Sequence, residues 1–180
     1  MRVIGDLPVS GGVYALILKC GRDATIRAGS RLSVSVRSGE ILVYVGSALG
    51  PGGLRARVGR HLRRDKRVRW HIDYLTVNDA ISIGLVILCP SDTRGGEACI
   101  AGECASRLIP GPKGFGSSDD PRNPTHLFRS PAGSVEQTAS IVGECFKSCL
   151  PGCEPARFYV VGPTRPPRRE RPAGEGSGWA

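Results

Sequence analysis

The chain has 180 residues, 40% of them hydrophobic, so it has about the size of one domain and can bury a sizeable core. Its net charge of +9 favours polyanionic partners, because lysine and arginine displace the counterions condensed on nucleic acid. No apolar run approaches the roughly eighteen residues of a membrane span. Residues 1–7 lack the basic start and apolar stretch of a secretory signal. We therefore expect no membrane partner and a cytoplasmic location.

The first half of the chain alternates apolar runs with glycine-rich turns. Val13–Leu18 follows a glycine pair and is typical of a central strand. The polar stretch after it leads to Arg31–Arg37, whose strict alternation predicts a half-buried strand. A Ser-Gly turn then leads to Ile41–Val45, a second buried strand.

A helix is predicted over residues 54–64, directly after a turn of glycine and proline. Leu54, Val58 and Leu62 recur at four-residue spacing and predict its buried stripe. Arg57, His61 and Arg64 follow the neighbouring edge. Residues 55–69 carry eight basic side chains against one acid, so this segment is the predicted nucleic-acid contact. The candidate contacts are Arg55, Arg60, Arg64, Arg67 and Arg69.

The second half predicts two strands, two helices and a tail. The strands are residues 81–88 and 157–161, and the helices are residues 97–108 and 135–149. From Pro163 onward the chain is rich in proline, glycine and charge, so residues 163–180 are expected to be a disordered basic tail. Residues 1–162 are expected to form one domain.

Seven cysteines are present, with no closely spaced pair of the kind that binds zinc in ribbons. Cys145, Cys149 and Cys153 recur every fourth residue, which would place them on one helical face. Buried apolar side chains or a local disulfide are one interpretation. A metal or cluster site is the other.

The ordered motifs resemble the GIY-YIG nuclease superfamily. Gly12-Val13-Tyr14 and Tyr44-Val45-Gly46 match its two triplets with valine in place of isoleucine, and Leu54–Leu62 matches its arginine-containing helix. Trp70–Leu75, Gly114–Asp119 and Thr125–Phe128 are similar to a mainly archaeal branch of uncharacterised domains, some fused to DNA-repair enzymes. The resemblance spans residues 11–128.

The resemblance implies an α/β fold with a small central, mainly antiparallel sheet of about three or more strands flanked by helices. It also implies a metal-dependent endonuclease acting on DNA rather than RNA, including branched or damaged forms. One of Tyr14 and Tyr44 would be the base, Arg57 would hold the phosphate, and His61 would assist. A single Mg²⁺ or Mn²⁺ would be held by Glu103, with Glu97 as the second choice. His71 matches a further histidine of some members, and a DNA-repair protein is an expected partner.

Two departures from the superfamily pattern leave an alternative open. Residues 21–37 separate the two triplets by more than usual and must fold out as a loop or hairpin. Related domains commonly carry cysteines after Asp119, where this chain has Asp120 and Asn123. Ser118, Asp119 and His126 could line the cleft or close a loop. The alternative function is a nucleic-acid-binding module without catalysis, because a fold does not guarantee chemistry.

Overall fold

The computed structural model describes residues 1–92 and 95–162, so the expected disordered tail lies outside the described residues. The strands are β1 (Arg2–Val3), β2 (Gly12–Cys20), β3 (Ala24–Ala28), β4 (Leu32–Val36), β5 (Ile41–Ser47), β6 (Ile81–Pro90), β7 (Ile109–Pro110), β8 (Leu127–Arg129) and β9 (Ala156–Val161). The helices are α1 (Gly53–Leu62), α2 (His71–Val77), α3 (Gly96–Arg107) and α4 (Val135–Cys149).

The central sheet has seven strands in the order β1-β9-β6-β2-β5-β8-β7, with antiparallel pairing throughout. Strand β2 lies in the middle and pairs along most of its length with β5 on one side and β6 on the other. The predicted class, an antiparallel sheet flanked by helices, is confirmed, and the sheet exceeds the minimum of three strands.

The two faces of the sheet carry separate apolar cores. Side chains alternate along β2 because successive residues of a strand point to opposite faces. Tyr14, Leu16 and Leu18 pack in the core formed with α1 and α2. The intervening Val13, Ala15 and Ile17 pack in the core formed with α3 and α4. Both faces are covered, which explains why β2 is apolar at almost every position.

The insertion between the two tyrosine triplets forms a separate hairpin. Strands β3 and β4 pair only with each other, as a two-stranded sheet. Ile26 and Val34 face each other in this hairpin and are buried in the core on the α1 and α2 side. The sequence left a loop or a hairpin open for this insertion. The structure has a hairpin, which leaves β2 and β5 free to pair as neighbours.

The first turn of helix α1 packs directly against the backbone of residues 8–10. Gly53 has φ of +54°, and a Cβ there would lie 2.2 Å from the carbonyl oxygen of Ser10. The amides of Leu54 and Arg55 donate to the carbonyls of Ser10 and Pro8. The helix therefore begins at a fixed point of the chain, with the predicted stripe of Leu54, Val58 and Leu62 buried.

Two disulfides join distant elements, Cys89 to Cys153 and Cys99 to Cys149. Cys145 is free and buried, so the three cysteines spaced by four residues do not share one site. Among the described residues, no helix is both long and apolar enough to cross a membrane.

Candidate active site

The two tyrosines lie side by side on the face of the sheet that α1 covers. The register pairs Tyr14 with Gly46 and Leu16 with Tyr44, so the tyrosines are diagonal neighbours on β2 and β5. A Cβ on Gly46 would lie 2.6 Å from the hydroxyl of Tyr14 and 3.1 Å from the ring of Tyr44. Gly46 is therefore the residue that lets both rings occupy one space.

The hydroxyl of Tyr14 is bonded to a buried histidine of α1. Its oxygen lies 2.8 Å from Nε2 of His61, and the Nδ1 of His61 lies 3.8 Å from Oδ1 of Asp73. Burial, and then the charge of Lys66, lower the pKa of His61 to about 3. His61 is consequently neutral at physiological pH.

Asp73 is a buried carboxylate that organises the start of α2. It accepts two hydrogen bonds from the guanidinium of Arg60, at 2.8 and 3.0 Å, and others from the amides of Arg69 and Trp70. Burial opposes its ionisation, but these donors hold the pKa of Asp73 at about 2. Arg60, expected to contact nucleic acid, is instead engaged by this internal carboxylate.

Arg57 faces the cleft from α1 and stacks on an exposed indole. Its guanidinium carbon lies 4.2 Å from the ring centre of Trp70, and that of Arg60 lies 4.5 Å from the same centre. Such cation–π contacts hold the flat guanidinium in one orientation. Arg57 is half-buried and has no carboxylate partner among the described residues.

The acidic wall of the cleft is formed by Glu97 on the first turn of α3 and by Asp119. The two oxygens of Glu97 accept hydrogen bonds from the hydroxyl of Ser47 and, at 3.1 Å, from Nδ1 of His126. Burial raises the pKa of Tyr44 most, and the negative charges of Glu97 and Asp119 raise it further. Glu97, the second choice as metal ligand, therefore lies in the same cleft as the tyrosines.

Glu103, the expected metal ligand, lies elsewhere on α3. It forms an ion pair with Arg107, one helical turn later, and is not among the residues that line the cleft. Six residues separate it from Glu97, a rotation that places the two glutamates on different helical faces. Of the two candidate glutamates, the one that lines the cleft is the second choice, Glu97.

His71 also lies outside the residues that line the cleft. Its Nδ1 accepts a hydrogen bond from the amide of Gly116 at 3.2 Å, and its ring packs on Phe115. A Cβ on Gly116 would lie 2.8 Å from the ring of Tyr44. His71 therefore contacts residues 115 and 116, and Gly116 in turn packs against the ring of Tyr44.

The remaining predicted nucleic-acid contacts are exposed, but two of them also bond to the backbone. Arg55 donates to the carbonyl of Leu7, and Arg64 donates to the carbonyls of Asn78 and Ile81. Arg64 lines a separate cavity beside Lys19, away from the tyrosines. Arg67 and Arg69 are exposed in the segment that joins α1 to α2.

The assembled cleft has a volume of about 200 Å³. It is lined by Tyr14, Tyr44, Gly46, Ser47, Arg57, His61, Trp70, Ile72, Glu97, Gly116 and Asp119. Burial raises the pKa of Tyr14 and Tyr44, whereas the charge of Arg57 lowers both. Tyrosines in this setting are neutral at rest, and positive charge that enters the cleft would lower the pKa of both and ease the loss of their protons.

The donor atoms of the cleft suit a hard divalent cation. Carboxylate and hydroxyl oxygens are the ligands of Mg²⁺, which usually keeps several waters and takes only one or two carboxylates from the protein. Among the described residues, no group of three or more histidines, cysteines, aspartates or glutamates could hold a metal ion. Glu97, which lines the cleft, is a residue whose chemistry fits such a cation.

Ser47 and Asp73 were not predicted to have a site role, whereas Asp119 was expected either to line the cleft or to close a loop, and it lines the cleft. Ser47 follows the second triplet directly. Asp73 is the first acid after a long basic run, which is a signal for an internal ion pair. Glu97 stands just after a glycine pair at the start of a predicted helix, where an acid is favoured by the helix dipole.

Comparison with known proteins places the chain in a family. No curated protein and no solved structure matches the chain. The family described as domain of unknown function DUF123 matches residues 13–149, well over half of the 180 residues, and this range contains every residue that lines the cleft. The chain belongs to the DUF123 family.

Proposed function

We propose that this protein is a metal-dependent endonuclease that hydrolyses phosphodiester bonds in DNA. The observation that carries the proposal is the convergence of Tyr14, Tyr44, Arg57, His61 and Glu97 on one polar cleft from four separate elements. The resemblance to the GIY-YIG superfamily assigns the same types of residue to catalysis. Cleavage of a phosphodiester requires a positioned water and positive charge on the phosphoryl oxygens, and this cleft offers groups for both.

Arg57 is the phosphate-binding group of the proposed site. A guanidinium donates two parallel hydrogen bonds to a phosphate, and its contact with Trp70 holds it in place before substrate arrives. Because the guanidinium has no carboxylate partner among the described residues, binding a phosphate would break no ion pair.

Tyr14 and His61 form the proposed proton path. We assign the proton of neutral His61 to Nδ1, which faces Asp73. The hydroxyl of Tyr14 then donates to Nε2, and its oxygen lone pairs can accept a hydrogen bond from water. The water oxygen bonds to phosphorus as the bond to the leaving oxygen breaks. The proton of the water passes to Tyr14, the proton of Tyr14 passes to His61, and the leaving oxygen takes a proton from solvent. Asp73, 3.8 Å from Nδ1, stabilises the imidazolium.

Glu97 would hold the Mg²⁺ or Mn²⁺ in the cleft that Asp119, Tyr44 and Tyr14 also line. A bound divalent cation supplies positive charge to the phosphoryl oxygens and the leaving group. Tyr44 contributes a second hydroxyl that orients water or phosphate. DNA rather than RNA as substrate, and a DNA-repair protein as partner, remain parts of this proposal that rest on the resemblance.

A binding module without catalysis is the second candidate, and one observation favours it. Both oxygens of Glu97 already accept hydrogen bonds inside the protein, from Ser47 and His126. If these bonds persist in the presence of metal, the cleft would bind a phosphate through Arg57 without cutting it. Exposed Trp70 could then stack on an unpaired base.

A cleavage assay separates the two functions. Labelled single-stranded, duplex and branched DNA and RNA are incubated with Mg²⁺ or Mn²⁺ and with the wild type, Arg57→Ala, Glu97→Gln or Glu103→Gln. We expect cutting that both Arg57→Ala and Glu97→Gln reduce by a factor of about 10² or more. Glu103→Gln is the matched control on the same helix, and we expect its rate within about twofold of the wild type, because surface ion pairs contribute little.

The absence of cutting on every substrate would reject the nuclease. Salt-sensitive DNA binding that Arg57→Ala weakens and Glu97→Gln leaves intact would then identify the binding module. Equal loss of cutting in Glu97→Gln and Glu103→Gln would show that the proposed metal ligand is misplaced.

A further inference from the structure

Behind the cleft, a buried row of hydrogen bonds joins Glu97 to a second carboxylate through a histidine. Nδ1 of His126 lies 3.1 Å from Oε1 of Glu97, and Nε2 of the same ring lies 3.1 Å from Oδ2 of Asp120. His126 is only 2% exposed. An ionised carboxylate can only accept hydrogen bonds, so a ring between two carboxylates donates from both nitrogens.

The far end of this row is fixed by its own donors. Asp120 accepts hydrogen bonds from Nδ2 of Asn123 at 2.7 Å and from the amide of Arg122 at 3.1 Å. Nδ2 of Asn123 also donates to the carbonyl of Ala98 at 2.8 Å. The loop that contains Asp120 is therefore bonded to the first turn of α3 at two points, one through Asn123 and one through His126.

The near end of the row determines the orientation of Glu97. One of its oxygens accepts from His126 and the other from Ser47 of β5, so the carboxylate is held from two directions. A carboxylate has about four lone-pair sites, and two remain for a ligand. Glu97 sits on the wall shared by the tyrosine cleft and a neighbouring cavity of about 190 Å³, which His126 and Asp120 also line.

We propose that His126, itself oriented by Asp120, is a positioning residue that fixes the Glu97 carboxylate for a divalent cation. This inference rests on the proposed function insofar as Glu97 is the metal ligand. The hydrogen bond that matters is the one from Nδ1 to Glu97. Partners of metal ligands generally contribute about 10- to 100-fold to metal affinity, because they reduce the freedom of the ligand.

Two substitutions of one residue test this hydrogen bond. His126→Asn places an amide nitrogen where Nδ1 stood and retains the donor to Glu97, whereas His126→Gln places it nearer to Nε2 and towards Asp120. Mn²⁺ binding is measured by the loss of the free-ion electron paramagnetic resonance signal, with Glu97→Gln as the reference for loss of the site. We expect His126→Gln to weaken Mn²⁺ binding about 10-fold or more and His126→Asn to remain within about threefold of the wild type. Equal weakening by both variants would overturn the proposal.

A second measurement needs no metal and therefore separates this inference from the proposed function. Urea unfolding of Glu97→Ala, His126→Ala and the double variant gives the coupling between the two side chains. If the two side chains were independent, the fold-change in the unfolding equilibrium constant of the double variant would equal the product of the two single fold-changes. We expect it to differ from that product by about fivefold or more. If the wild type binds no Mn²⁺, Glu97 is not a metal ligand and the proposed function is wrong in that respect. The unfolding data of the two single variants and the double variant then decide alone whether His126 positions Glu97. Additive effects would overturn the inference.

Discussion

His61 is held between a tyrosine hydroxyl and a buried carboxylate, and its surroundings determine its protonation state. Its ring contacts Tyr14 at Nε2 and approaches Asp73 at Nδ1, while Lys66 and the arginines of α1 surround it with positive charge. Burial is the largest influence and disfavours the imidazolium. The neutral ring is what allows His61 to accept the hydrogen bond of Tyr14 and, in the proposed reaction, its proton.

This environment predicts a pH dependence of stability. The pKa of His61 is about 3 in the folded protein and near 6.5 when unfolded. The unfolded chain therefore binds a proton that the folded chain does not, and stability falls as the pH drops below about 6.5. Between pH 6.5 and 4.5 we expect the wild type to lose about 2 kcal/mol more unfolding free energy than His61→Gln.

Urea unfolding at several pH values checks this difference. Asp73 does not contribute in this window, because its folded pKa of about 2 and its unfolded value of 3.8 both lie below it. Each histidine other than His61 is present in both proteins, so its effect cancels in the comparison. Parallel pH profiles for the wild type and His61→Gln would contradict the buried, neutral histidine.

At the scale of the elements, each helix and strand presents different residues to the cleft and to the core. Helix α1 buries Leu54, Val58 and Leu62 and turns Arg57 and His61 towards the cleft. The pairing of β2 with β5 places Tyr14 opposite Gly46, which leaves the space that both tyrosine rings need. The site therefore depends on the register of one strand pair.

A methyl group at Gly46 is expected to damage this strand pair. In Gly46→Ala the new Cβ would lie 2.7 Å from Cζ of Tyr14, a contact that requires the buried rings to move. We expect a loss of about 1–3 kcal/mol in the free energy of unfolding, measured with urea. The control is Gly59→Ala on α1, where a Cβ meets nothing within 4 Å, and we expect a gain of about 0.5–1 kcal/mol there. Equal effects of the two substitutions on stability would show that a methyl group at Gly46 does not clash with the tyrosine rings.

At the scale of the whole molecule, one disulfide connects α3 to the end of α4 and a second connects β6 to the residues just after α4. Cys99 stands two residues after Glu97, and its partner Cys149 is the last residue of α4. Cys89 lies in β6 and pairs with Cys153, just beyond α4. The bonds span 50 and 64 residues of the chain, so each constrains the unfolded chain over a long loop.

This arrangement predicts a defined number of free thiols and a dependence on reducing agents. Alkylation of the denatured, unreduced protein should modify Cys20, Cys104 and Cys145 only, and reduction should expose all seven cysteines to mass spectrometry. We expect the Cys99→Ser/Cys149→Ser variant to lose about 2–5 kcal/mol of stability. Cys20→Ala, which removes a free buried thiol, is the control, with an expected loss of about 1 kcal/mol. Seven modified cysteines before reduction would contradict the two disulfides.

The sequence alone predicted the elements whose patterns are local. The strands β2, β5 and β6 and the helices α1, α3 and α4 were placed within a few residues, because apolar periodicity and glycine turns lie within each segment. The sequence did not predict β1, β7, β8 or the seven-residue helix α2, which are too short to show a period. Such elements are stable through the contacts that the rest of the fold provides.

The sequence also determined much of the candidate site, since Tyr14, Tyr44, Arg57 and His61 were named from their motifs and do meet in one cleft. Which of Glu97 and Glu103 lies at the cleft was decided only by the tertiary structure, because both stand on the same predicted helix and its rotation against the sheet places Glu97 there. The engagement of Arg60 by Asp73, and of Glu97 by His126, was decided in the same way. Residues far apart in the chain meet only through strand register and helix packing, and periodicity within a segment carries no information about either.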